Sequence, residues 1–225
     1  AQPAVRSSLT QEYKTGHDYC IHSLSLCSDQ LTFLSADDTR VNMWSLEDAD
    51  SGYTLYEHAL ADGGEEPQDY ITAATYHPTQ CHLFALGWSN GVVSMLDLRA
   101  HAPNESNNAL VTSTFDPRLY DGSNPYRNPE LPIHAIDYIS GIMDIKFNQD
   151  GVYMTTRDFL SCRVWDTRYT AKPVQEYRVN QYAVKDIEEL CENSAIFDAH
   201  QVAISPNARH IITGTYYNTF CLINT

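Results

Sequence analysis

A chain of 225 residues, 43% of them hydrophobic, is long enough to bury a real core, which excludes a disordered tail. Fourteen Lys and Arg against 29 Asp and Glu leave a formal charge of -15, which repels phosphate backbones and acidic membrane surfaces. The expectation is therefore no nucleic acid and no membrane as partner, with a basic protein or peptide as the natural complement and solubility as the plainer use of the charge.

The N-terminal text AQPAVRSSLTQEYK has no apolar centre of the kind a signal peptide needs, and no run approaches the roughly 18 apolar residues of a membrane span, so a cytoplasmic or nuclear setting is expected. Residues 1–18 read as a separate segment, the end of a preceding blade. From residue 19 onward the chain repeats one unit. The first strand, IHSLSL (21–26), is followed by the turn CSDQ and the window SADDTRVNMWSL (35–46). A second unit runs ITAATY (71–76), HPTQ, GWSNGVVSMLDL (87–98), and a third IMDIKF (142–147), NQDG, TRDFLSCRVWDT (156–167). The fourth runs HQVAI (200–204), SPNA, GTYYNTFCLINT (214–225). Between units lie further strands at 53–60, about 109–116 and 174–179, and alternation at period two marks all of these as strands. One helical stretch, 182–191, interrupts them.

The tenth column of each window holds Trp44, Leu96, Trp165 and Ile223. Three or four short strands closing on Trp-Asp or a substitute are the unit of a WD repeat, so the predicted fold is an all-β WD40 propeller, with loop insertions at about 99–138 and 180–198. The expectation is four consecutive blades of a seven-bladed ring, a partial chain with open sheet faces at both ends.

In such a blade the turn between the second and third strands emerges at the same end as the link to the next blade. The segments meeting there are 36–40, 61–69, 88–91, 117–138, 157–161, 180–198 and 216–219, which carry 15 acidic and 5 basic residues. An acidic rim can capture Lys- or Arg-rich chains. Asp37, Asp38, Tyr70 and Asp158 are candidate contacts on it. Two readings stand open for Asp158 and its neighbour Arg157, a partner contact or a braced turn; for Asp38, six residues before Trp44, the same two apply.

Catalytic and metal constellations with diagnostic spacing are not found: there is no G-x-S-x-G, Walker sequence, H-E-x-x-H or Gly-rich dinucleotide turn. No enzyme, cofactor or metal is expected. His77 and His210 read as turn or edge residues, Glu188, Glu189 and Glu192 as a solvated helix face. The six cysteines lack C-x-x-C spacing and read as buried, reduced thiols. Asn104-Glu-Ser106 has the form of a sequon and reads as loop.

The segments FLSADDTRVNMWSL (33–46), ITAATYHP (71–78), DIKFNQDGVYMTTRDFLSCRVWD (144–166), KPVQEYRV (172–179) and ENSAIFD (192–198) closely resemble, in this order, the WD-repeat B-type regulatory subunits of protein phosphatase 2A. What the resemblance implies is a non-enzymatic subunit that selects substrates for a serine/threonine phosphatase. It would assemble with the catalytic subunit and a helical-repeat scaffold subunit and dock basic phosphoprotein segments in an acidic groove. Asp38, Glu192 and Phe197 match groove positions. Cys191 stands where that family usually has Tyr, Ser194 where it has an acid, Ala199 where it has Lys and Pro67 where it has Leu. The arm with which such subunits grip the scaffold would lie before residue 1. The alternative is a general WD-repeat interaction scaffold unconnected with phosphatase.

Overall fold

The computed structural model describes residues 8–14, 16–58, 69–100, 110–119, 139–193, 198–216 and 218–225. Phe197, the sequon at 104–106 and most of the insertion expected at 99–138 lie outside these residues.

Among the described residues, fifteen strands form four antiparallel sheets, each a meander in chain order. The first holds β1 (Ser23–Leu26), β2 (Thr32–Ala36), β3 (Arg40–Ser45) and β4 (Gly52–Glu57). The second holds β5 (Ile71–Tyr76), β6 (Leu83–Trp88), β7 (Val93–Asp97) and β8 (Leu110–Phe115). The third holds β9 (Asp144–Phe147), β10 (Tyr153–Arg157), β11 (Ser161–Asp166) and β12 (Gln175–Arg178), and the fourth β13 (Val202–Ile204), β14 (His210–Gly214) and β15 (Phe220–Asn224). A 3-10 turn (Gln181–Asp186) and a short helix α1 (Ile187–Glu192) fill the place where a helical stretch was expected.

These are four consecutive propeller blades, joined side by side through their first strands, β1 to β5, β5 to β9 and β9 to β13. The burial pattern explains the composition of each blade. β7 and β11 are buried at every residue, because a blade with neighbours on both faces must be apolar or internally satisfied on both. β15 instead alternates between exposed and half-buried residues, with one face against blade three and one uncovered. Blade one behaves likewise: Ser23 and Ser25 of β1 meet β5, accepting N–H bonds from Ala74 at 3.1 Å and Tyr76 at 3.0 Å. Leu24 and Leu26 on the other side are 70% and 68% exposed.

Part of that open face is covered by residues 8–14 and 16–18. Tyr13 stands edge-on to Phe33 and Trp44, with ring centroids 5.1 and 5.4 Å apart, and its hydroxyl donates to the Ser45 carbonyl at 2.7 Å. Gly16 lies so near Trp44 that a Cβ there would fall 3.1 Å from the indole, and its φ of +119° is one that side chains avoid.

All six cysteines are free, but only Cys27 and Cys162 are buried; Cys20 and Cys81 are exposed. The expected uniform burial fails because both exposed thiols sit in links outside the strands, where no neighbouring blade covers them.

Candidate functional site: an acidic rim of turns

Each β2–β3 type turn is tied to the neighbouring links by backbone hydrogen bonds, which brings distant segments to one end of the molecule. The Asp38 carbonyl accepts from Ile71 and the Thr39 carbonyl from His58, both at 2.8 Å. The next turn follows the same plan, with Ser89 N–H on the Tyr70 carbonyl at 2.9 Å and Ile142 N–H on the Trp88 carbonyl at 3.1 Å. In blade three the Leu160 carbonyl accepts from Val179 at 2.8 Å, and Asn180 Nδ2 donates to the Phe159 carbonyl at 2.8 Å.

The candidate residues divide sharply by burial. Asp37 is fully buried. One carboxylate oxygen accepts the N–H groups of Thr39 at 2.8 Å and Arg40 at 2.6 Å, and the other meets His17 Nδ1 at 3.0 Å. His17 Nε2 lies 2.6 Å from Ser35 Oγ, which accepts from Trp44 Nε1 at 2.7 Å. A single proton order satisfies this chain: indole to hydroxyl, hydroxyl to Nε2, Nδ1–H to carboxylate. Burial pushes the Asp37 carboxyl up, but the donors on Thr39, His17 and Arg40 outweigh it and hold the group below its ordinary value. The turn in blade one is therefore braced by Asp37, seven residues before Trp44, and not by Asp38.

Asp158 occupies the same place, seven residues before Trp165, and is also buried. It accepts from the N–H groups of Leu160 at 2.9 Å and Ser161 at 2.8 Å and forms an ion pair with buried Arg163. Arg157 is turned inward as well: its guanidinium donates to the carbonyls of Phe159 at 3.1 Å and Ser161 at 3.3 Å, and to Thr213 Oγ1 of blade four at 3.2 Å. Asp37 is thus not a surface contact, and of the two readings open for Asp158 the structure shows the braced turn. A turn tip between packed blades is roofed by the adjoining links, so its charges serve unsatisfied backbone groups instead of solvent.

Asp38 is half-buried, Tyr70 is 44% exposed and Glu192 is exposed at the end of α1. Around Glu192 the rim carries exposed Asp186, Glu188, Glu189 and Asp198 against the cation Lys185, so the insertion supplies most of the described charge. Beneath it Tyr182, Ala183, Asp186, Leu190 and Tyr216 enclose a small, largely apolar cavity of about 150 Å³. Tyr216 stacks edge-on against His200 at 4.9 Å and lies 5.9 Å from Phe159. Burial pushes its phenol up to about 12 and pushes the His200 imidazole down, with the Arg157 charge adding to the latter. The sequence reading singles out no residue of this cavity. The signal available was the place of Tyr216 in the fourth window, at the column of Asp37 and Asp158. Among the described residues, no group of His, Cys, Asp or Glu is spaced to hold a metal ion, and no helix is long and apolar enough to cross a membrane.

Comparison with known proteins supplies the lineage. Residues 8–45 match the WD domain, G-beta repeat family. Over 216 residues the chain is 35% identical to the Caenorhabditis elegans serine/threonine-protein phosphatase 2A regulatory subunit sur-6, a match spanning 96% of this chain and 41% of that protein. It is 34% identical over 219 residues to the Drosophila melanogaster protein phosphatase PP2A 55 kDa regulatory subunit, covering 96% of this chain and 41% of that one. A Candida tropicalis regulatory subunit of protein phosphatase PP2A is 32% identical over 210 residues, 93% of this chain and 39% of that protein. The chain is thus similar, along nearly its whole length, to part of these phosphatase 2A regulatory subunits. It spans about two fifths of the length of the curated relatives it matches. These homologues are named as regulatory subunits and not as catalysts, and the WD repeat agrees with the blades described above.

Proposed function

We propose that the chain forms part of a substrate-recruiting regulatory subunit of a serine/threonine protein phosphatase 2A holoenzyme, acting with a catalytic subunit and a helical-repeat scaffold subunit. In this reading the rim bearing Asp38, Tyr70 and Glu192 docks basic segments of phosphoprotein substrates, and Phe197, outside the described residues, is added as a contact by the sequence resemblance alone. The observation that carries it is the grouping of exposed Asp186, Glu188, Glu189, Glu192 and Asp198 at the end where the turns and links meet. Docking raises the local concentration of a tethered phosphosite at the catalytic centre, so the subunit contributes effective molarity and no bond chemistry. The reading assigns no docking role to Asp37 or Asp158, whose carboxylates are consumed by their turns.

The test is made on the full-length protein carrying this chain. Co-purification with the catalytic and scaffold subunits is expected, together with binding of a Lys/Arg-rich phosphopeptide that weakens as salt rises. Reversal of Glu188, Glu189 and Glu192 to Lys should reduce peptide affinity several-fold while leaving co-purification intact. Unchanged affinity and salt dependence would refute the rim, and failure to co-purify would favour the general WD-repeat scaffold.

A further inference from the structure

At the end of the molecule opposite the acidic rim, the seam between blades one and two closes on two cysteines. β1 presents alternate residues to blade two: Ser23 and Ser25 accept N–H bonds from Ala74 and Tyr76, and Cys27 continues the row. Its Sγ donates to the carbonyl oxygen of Cys81 at 3.6 Å, although 54 residues separate the two in sequence. The Cys27 sulfur therefore lies against the backbone of a residue that itself carries a thiol. Cys81 is exposed and Cys27 is buried.

The Tyr76 hydroxyl is buried, and burial raises its pKa, with the charges of Cys27, Asp29 and Cys81 adding to the rise. The Cys27 side is rigid: Asp29 accepts the N–H groups of Leu31 and Thr32 at 2.8 and 3.0 Å, and Cys27 N–H donates to the Thr32 carbonyl at 2.9 Å. Cys81 lies on an exposed turn.

We propose that Cys27 and Cys81 form a reversible disulfide that staples blade one to blade two. The oxidant is a small-molecule disulfide such as glutathione disulfide. The exposed Cys81 thiolate attacks one sulfur of that disulfide; a protein–glutathione S–S bond forms, the original S–S bond breaks and one glutathione thiolate leaves. Cys27, losing its proton to solvent, then attacks Cys81 Sγ and expels the second glutathione. Two protein thiols and one glutathione disulfide become one protein disulfide and two glutathione thiols, so the two electrons and two protons balance. Burial holds the Cys27 thiol above its ordinary value, so less of it is thiolate for the second step. The cross-link closes a long loop and constrains the unfolded chain, so the oxidised form is the more stable. Nothing in this depends on the phosphatase reading.

The chain is equilibrated across glutathione redox buffers, free thiols are alkylated, and peptides are mapped by mass spectrometry. The expected product is an intramolecular Cys27–Cys81 cross-link, absent from Cys27→Ser and from Cys81→Ser, while exposed Cys20 acquires only glutathione. The oxidised protein should melt several degrees higher, and dithiothreitol should return it to the starting Tm. The exposed Cys81→Ser change keeps the comparison available should Cys27→Ser fail to fold. A glutathione adduct that persists on Cys81 while Cys27 stays alkylatable overturns the proposal. So does pairing of Cys81 with another cysteine or another chain, or a Cys20 adduct formed with no cross-link at any ratio.

Discussion

Blades one and three solve one problem with different partners. In each, a Trp donates its indole N–H to a hydroxyl nine residues earlier, Trp44 to Ser35 at 2.7 Å and Trp165 to Thr156 at 3.1 Å. In each, a buried carboxylate seven residues before that Trp accepts two backbone N–H groups of its turn. The partner of the carboxylate differs. Asp37 takes His17, delivered by a segment outside the four strands of the blade, whereas Asp158 takes Arg163 from β11 of its own sheet. Blade two keeps neither acid nor Trp at those columns: Ser89 and Leu96 stand there, and Trp88 donates to Ser94 at 3.0 Å. Spacing thus sets the turn, while the partner of a buried acid is chosen by whichever chain segment packs over it.

The largest separation of the two blades is expected from Asp158→Ala, which takes from buried Arg163 its Asp158 carboxylate and leaves it Glu176 at 3.5 Å. Removing one partner of a buried ion pair costs about 3–5 kcal/mol, read as a lowered denaturant midpoint. Asp37→Ala should cost less, about 1–3 kcal/mol, because His17 can remain neutral while two turn N–H groups lose their acceptor. Equal losses would mean that the partner identity is immaterial. Next in size, His17→Ala should destabilise by about 1 kcal/mol, the net worth of a typical hydrogen bond, and speed amide exchange in residues 8–18 more than in β10 and β11. Uniform exchange in both regions would show that the segment is not held through His17.

Acid sharpens the same comparison. Asp37 lies below its ordinary value of 3.8, so the folded state binds its proton less readily than the unfolded chain does. The resulting stability is complete above 3.8 and fades as pH falls through the folded value. Asp37→Asn should flatten the stability–pH curve in that window, as measured by Tm at stepped pH; an unaltered slope would assign it to other carboxylates. The smallest effect belongs to Asp38→Lys, one residue from the brace. Its Tm change should stay within the equivalent of about 0.5 kcal/mol while binding of a basic peptide weakens. A large drop in Tm would make Asp38 a second brace.

Much of the fold was legible because alternation is local. The strand 71–76 was placed to the residue, and the helical interruption at 182–191 fell on the 3-10 turn and α1. Misreadings came where a single position, or the orientation of one side chain, mattered. Asp37 and Asp38 are adjacent acids, yet the turn after β2 buries one and leaves the other at the rim. For Arg157 and Asp158 a linear reading leaves a partner contact and a braced turn both open, and only the roof made by the links at 139–143 and 179–180 decides for burial. Cys81 reads like Cys27 in composition, but lies in a turn that no blade covers.

The residues by themselves determined that this chain makes antiparallel meanders, how many there are, and that the acidity gathers in the connecting segments, since hydrophobic period and charge placement are written along the chain. Which acids face water was decided by the tertiary structure alone. Burial depends on what neighbouring blades and links lay over a side chain, and those neighbours arrive from tens of residues away.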